Sequence, residues 1–148
     1  MKNQKEQIIE ICKAILQERA NNAKTAMDEL QLSANEYGIP RDKYDSFKAQ
    51  TLQEKDMLAK QYQFTLDELQ ILDKIDFEKK SEIVEFGSIV LTDKQKLIIS
   101  VSLGKIQFEN ETYFAISTNV PIFKKIQGLR KGDRYTFNGN EFKILDII

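Results

Sequence analysis

The chain has 148 residues, with 22 Lys plus Arg against 23 Asp plus Glu, no His, no Trp and a single Cys. A length near 150 suits one ordinary domain or two small ones, and a net charge of −1 argues against a nucleic-acid binder working through bulk charge. The absence of His removes the commonest general base and zinc ligand, and one Cys can close no intramolecular disulfide.

From Lys2 to Ile75 almost nothing breaks a helix. The one Gly and the one Pro of that stretch sit together in Tyr37-Gly38-Ile39-Pro40-Arg41, a stop followed by a start. Before them, Ile8, Ile11, Cys12, Ile15, Leu16, Ala23, Ala26, Met27 and Leu30 recur at helical spacing. After them, Leu58, Tyr62, Leu66, Leu69, Leu72 and Ile75 form a seam of nearly heptad period. So short a connection between long helices predicts antiparallel neighbours. A fold-back near Ile39 sets Ile8 opposite Ile71 and Leu72, Ile15 opposite Phe64, and Leu30 opposite Ala49. Residues 1–76 are thus expected to form a coiled-coil hairpin with its tip near 38–46. On pattern alone such a hairpin is a dimerisation or spacer element. Cys12 lies on the apolar side of the first helix and is expected to be a core residue.

Beyond Asp76 the texture changes: Val, Ile, Phe, Tyr and Thr become frequent, and five of the six Gly lie there. Strands are predicted over 83–91, 97–103, 112–118, 135–137 and 141–147. Asn138-Gly139-Asn140 is a tight hairpin signal between the last two. Asp93 to Lys96 and Gly104-Lys105 are expected as turns, and a short helix is expected from Pro121 to Gln127. The fold class expected is α+β, with the hairpin followed by a small antiparallel sheet domain over 81–148. Residues 1–80 carry 13 basic and 15 acidic groups and residues 81–148 carry 9 and 8, so neither half has the charge of a nucleic-acid surface. No signal peptide is expected from the first residues, MKNQKEQ, and no window reaches the roughly 18 apolar residues of a membrane span. A soluble, cytoplasmic protein is expected.

The constellation that invites chemistry is Arg41-Asp42-Lys43-Tyr44-Asp45. Asp42 and Asp45 stand three residues apart, on one face of a helix. First-turn acids commonly serve only to complement the helix dipole or cap the helix. Two carboxylates are equally what a weakly held Mg²⁺ takes from a protein, its other positions going to water or phosphate oxygens. Both readings stand. Lys124, Lys125, Arg130, Lys131 and Arg134 form a mild basic run, whose plainest account is a solvated face.

Several segments resemble the Gre-type bacterial transcript cleavage factors. Val84-Glu85-Phe86-Gly87-Ser88-Ile89-Val90 resembles that family's opening strand, and Ala115-Ile116-Ser117 with Val120-Pro121-Ile122 resembles its I-S-x-x-S-P-[LI] segment. Gly128, Lys131, Gly132 and Asp133 resemble its Gly-Lys turn, and Glu141 to Ile147 its closing strand. Asp42-Lys43-Tyr44-Asp45 falls where the family carries D-x-x-E at the tip. Two departures are visible: Asp45 replaces the family's usual Glu, and Val120-Pro121 replaces Ser-Pro.

The resemblance implies an N-terminal coiled-coil hairpin and a C-terminal FKBP-like domain. It implies binding to core RNA polymerase, with RNA and DNA met only indirectly. Val120, Pro121, Ile122, Lys124 and Lys125 become docking candidates. Asp42 and Asp45, with Arg41 and Tyr44 beside them, become residues that act inside the polymerase active site. There they share Mg²⁺ with the polymerase and help it cleave its own backtracked RNA, so the chain itself needs no catalytic residue and binds no cofactor alone. The resemblance leaves open a regulator that occupies the channel without promoting cleavage, and the residues leave open an unrelated interaction module. A monomer is expected. A prolyl isomerase is disfavoured, because fold does not imply activity.

Overall fold

Asn3 starts the first helix: its Oδ1 accepts the Glu6 N–H at 2.8 Å and its carbonyl accepts the Gln7 N–H at 3.1 Å. A side-chain oxygen there satisfies one of the helix's orphan donors. Helix α1 then runs over Gln4–Glu36 and helix α2 over Arg41–Asp73. The computed structural model describes residues 2–36 and 41–148, without the side chains of 33–45. The Gly38 and Pro40 signals lie outside the described residues. The chain forms two compact units, Met1–Lys13 with Gln70–Ile148, and Ala14–Leu69.

The first unit holds six strands: β1 (Ile89–Thr92), β2 (Lys96–Ser100), β3 (Gly104–Phe108), β4 (Glu111–Ser117), β5 (Arg134–Phe137) and β6 (Asn140–Ile147). Helix α3 (Pro121–Ile126) follows β4 in the chain. The strands form one sheet in the order β3-β4-β2-β1-β6-β5. Four pairings are antiparallel, but β2 and β4 run parallel, with Leu97 beside Phe114 and Ser100 beside Ser117. The sheet is therefore mixed where a wholly antiparallel one was expected. The cause is β3, a strand where a turn at Gly104-Lys105 was expected. The chain leaves β2, passes to the far side of β4 as β3, and returns through a hairpin whose corner residues, Glu109 and Asn110, have φ of 49° and 66°. Two positive φ values make a type I′ turn. Glu-Asn is a poor signal for one, and β3 buries Ile106 alone along its length, as an edge strand does.

The other hairpin was legible: Asn138 and Gly139 take φ of 52° and 81°, and Phe137 pairs with Asn140. The expected strand over 83–91 shrinks to its end. Ser88 Oγ donates to the Glu85 carbonyl at 2.6 Å and accepts the Glu85 N–H at 3.2 Å, closing a turn in which Gly87 has φ of 89°. Ile83 keeps an isolated bridge to Arg130.

Side chains alternate across the sheet, so Leu97 and Ile99 share a face that Ile98 does not. All three are buried, which means both faces are covered. On one face Leu97, Ile99, Val90, Ile144 and Ile147 pack with Phe123 and Ile126 of α3. Tyr113 of β4 receives a hydrogen bond on its hydroxyl from Gln4 Nε2 of α1 at 3.0 Å. Cys12 is buried and its thiol is pushed up to about 11 by that burial, which makes it the core residue expected.

In the second unit the seam is narrow. Leu16, Ala20 and Ala23 of α1 are buried, as are Thr51, Thr65 and Glu68 of α2. Gln31 contacts Lys55, which lies about one heptad further from the turn than the Lys48 that a fold-back near Ile39 would set opposite it. Phe64, expected opposite Ile15, is 64% exposed. The seam follows Thr65, and one residue's step turns a helical side chain by about 100°. Thr65 meets its polar obligation by donating to the Gln61 carbonyl at 2.9 Å. Within the first unit, Lys13 pairs with Asp73 at 2.9 Å, and Ile71 is 37% exposed while Leu72 is buried.

Candidate functional site

Arg41 opens α2, so Asp42, Tyr44 and Asp45 belong to its first five residues. Their side chains lie outside the described residues. The spacing of the two aspartates is thereby helical, as expected. Among the described residues no group of three or more His, Cys, Asp or Glu side chains is arranged to hold a metal. No helix among them is long and apolar enough to cross a membrane.

Further along the same hairpin, Glu68 is buried at 8% exposure. Burial holds its carboxyl above the ordinary carboxylate value, and the charge of Arg19 draws it back only in part. A carboxyl raised on folding favours the protonated fold, so its cost is absent below the ordinary value of 4.5 and grows as pH rises through the raised one. Glu68→Gln is accordingly expected to raise the thermal midpoint at pH 7 and to leave it unchanged well below pH 4.5. A pH series of melting curves for both proteins checks this; an identical difference at every pH would refute it.

The five docking candidates fall together on α3 and its entry. Val120 is the N-cap, in extended conformation (φ −78°, ψ 150°), and makes no side-chain cap bond. A Ser here would supply that bond, so the replacement leaves Pro121, whose fixed φ suits a first turn, to start the helix. The helix is amphipathic within two turns. Phe123 and Ile126 are buried, Pro121, Lys124 and Lys125 are exposed, and Val120 and Ile122 are half-buried against the same core. Gln127 donates to the Phe123 carbonyl at 2.8 Å, and Gly128, with φ of 84°, turns the chain so that its N–H reaches the Val84 carbonyl at 2.9 Å.

The turn that follows is built around Asp133. Its Oδ2 accepts the Arg130 N–H at 2.7 Å, its own N–H donates to the Arg130 carbonyl at 3.0 Å, and Gly132 between them has φ of 93°. The motif glycine and aspartate are thus there to make the turn. Lys131 is exposed, and Arg134 pairs with Glu141 at 3.2 Å. Leu129 and Phe137 are half-buried and pack against the same core as Val120 and Ile122. These two were not among the sequence candidates, because isolated apolar residues next to a Gly and in a short strand read as ordinary core. Helix α3 and its entry thus present Pro121, Lys124 and Lys125 to solvent, with Val120 and Ile122 half-buried.

No protein-family model and no curated protein matches the chain. Solved structures similar to it include two of one factor. One is GreA factor homolog 1 (Gfh1) of Thermus thermophilus, with 21% identity, 95% of this chain and 92% of that chain covered, and a TM-score of 0.35. The other is described as the transcription factor Gfh1, with 19% identity, 99% and 95% covered, and a TM-score of 0.34.

Proposed function

We propose that this chain is a transcription elongation factor that binds RNA polymerase. The α3 face docks at the mouth of the polymerase's secondary channel, and the α1–α2 hairpin enters it. Asp42 and Asp45 then join the polymerase's own Mg²⁺ and orient a water, so that the polymerase hydrolyses its backtracked RNA. Mg²⁺ supplies charge stabilisation of the attacking and leaving oxygens when bound. The part of this chain is to bring two carboxylates, three residues apart at the start of a long helix, to a centre it does not own.

The observation that carries this reading is what the Gre-like motif residues do structurally. Glu85 to Ser88 close a turn, Val120-Pro121 start α3, Gly128 ends it, Asp133 builds the next turn, and Glu141 to Ile147 form β6. Residues scattered over more than fifty positions thus serve one folded unit. A second reading, a regulator that occupies the channel without promoting cleavage, is favoured by Asp45 standing where the family has Glu, since a carboxylate one methylene short is displaced by about 1 Å, enough to cost roughly 100-fold in rate.

Pull-down of cognate core polymerase by the full chain at moderate salt is the test of binding. Lys124→Glu with Lys125→Glu is expected to weaken capture about tenfold, mainly through slower association. Absence of capture by the wild-type chain would remove both readings.

A further inference from the structure

Helix α2 carries an apolar stripe that the seam of the hairpin does not use. Met57 and Phe64 stand seven residues apart, which returns a helical side chain to within about 20° of the same direction. They are 66% and 64% exposed, while Thr65, next to Phe64, is buried, as are Thr51 and Glu68. The helix thus keeps two large apolar side chains in water and three polar ones inside, the reverse of what hydrophobicity alone selects. One exposed apolar residue is ordinary, but two of this size at heptad spacing on one line are the makings of a second seam.

The charges beside the stripe decide what covers it. Lys60 and Asp67 lie on one flank, about 40° and 60° round the helix from Phe64 on the side away from Thr65. They stand four residues before Phe64 and three after it. Both are exposed, and both have local partners: Lys60 pairs with Asp56 at 3.1 Å, and Asp67 accepts a hydrogen bond from Gln63 Nε2 at 2.9 Å. Exposed pairs one turn apart on a helix are weak and exchange readily. A two-fold axis at Phe64, setting α2 antiparallel to the α2 of another copy, brings this flank against the same flank of its mate. Phe64 then meets Phe64 of the second copy. Each Lys60 comes within about one residue's rise, 1.5 Å along the axis, of the level of Asp67 in the second copy. A parallel pair forms neither of these ion pairs, because it sets the flank against the opposite one, where the side chains are Gln61 and the buried Glu68. The face is complementary to itself in one orientation.

From this arrangement we infer that the exposed face of α2 is a self-association site, at which two copies of this chain pair antiparallel about Phe64. Few apolar side chains contribute, so the dimer belongs to the weak, reversible class. Pairing covers the hairpin over residues 57–67, and only the dissociated chain has a free hairpin to send into a channel. That last consequence rests on the elongation-factor reading; the dimer does not.

Sedimentation velocity of the full chain, from about 1 μM to 1 mM, is the test. A monomer–dimer equilibrium without larger species is expected, since a two-fold contact closes on itself. Phe64→Ser should weaken association about tenfold or more, and Met57→Ser several-fold. Lys60→Asp alone and Asp67→Lys alone should each weaken it, because each sets like charges opposite one another. Lys60→Asp combined with Asp67→Lys should recover it, because exchanging both signs restores both ion pairs. Lys124→Gln should leave it unchanged. A wild type that stays monomeric over the whole range, an open series of larger species, or a double variant no better than the singles overturns the proposal. No polymerase enters this experiment, so its failure leaves the elongation-factor reading standing.

Discussion

Asp42→Ala combined with Asp45→Ala is expected to slow transcript cleavage in backtracked complexes of the cognate polymerase by about 100-fold or more, while capture of the polymerase persists. The size follows from what positioning does at such a centre, where an error of roughly 1 Å costs about 100-fold. Removing both carboxylates is a larger error than any displacement. Each single variant should fall nearly as far as the pair, because groups that act as one unit are strongly non-additive. Asp45→Glu is the informative converse: the added methylene should leave cleavage intact or raise it. A wild-type chain that binds but leaves cleavage at the polymerase's intrinsic rate would make the aspartates cap or complement the α2 terminus, with their removal costing about 1 kcal/mol of stability.

The second large effect is in the sheet unit. Ile126 is fully buried and, with Phe123, fixes α3 to Val84, Val90 and Ile144. Ile126→Ala removes methyl groups from a packed site and leaves a cavity, so a loss of about 2–5 kcal/mol is expected. Urea denaturation followed through the amide resonances of β2 and β6 reports it as a lower midpoint with unchanged slope. Lys124→Ala, two residues away and exposed, should lie within about 0.5 kcal/mol of wild type. The pair separates folding from docking. A binding defect in Lys124→Glu with Lys125→Glu belongs to the interface, whereas one in Ile126→Ala reflects loss of the helix that presents it. Equal stability of Ile126→Ala and wild type would mean that α3 is not anchored as described.

Much of this was legible in the residues. Uninterrupted helical periodicity up to Glu36 and again to Asp73 specified α1 and α2, and Asn138-Gly139 specified the β5–β6 hairpin, because those signals are local. The failures are non-local. The parallel pairing of β2 and β4 leaves no mark on either strand, since it arises from where β3 goes. Strand β3 itself is an edge with one inward residue, Ile106, and its turn uses Glu109-Asn110 in place of the Gly-containing pairs that announce type I′ geometry. The face that α2 turns inward has a similar origin. Phe64 and Thr65 compete for the seam, hydrophobicity favours Phe64, and α2 turns Thr65 inward, its hydroxyl satisfied by the Gln61 carbonyl. At the site, the motif residues were found by resemblance, while their structural duties as turn-makers, with Asp133 the clearest, became visible only as hydrogen bonds.

The first unit is discontinuous in sequence, joining Met1–Lys13 to Gln70–Ile148, and that has a kinetic side. Within it, β1 pairs with β6, so Val90 must find Ile147 across more than fifty residues. The β3–β4 and β5–β6 hairpins close on themselves and can form in about 1–10 μs. The segment containing Ile8, Ile9 and Cys12 has the longest wait, for the strands of its unit are synthesised well after it. Until they are, its apolar face has no sheet unit to join. Assembly is therefore expected to be limited by these distant closures, with the helical segment of residues 4–13 the last to gain protection from hydrogen exchange during refolding.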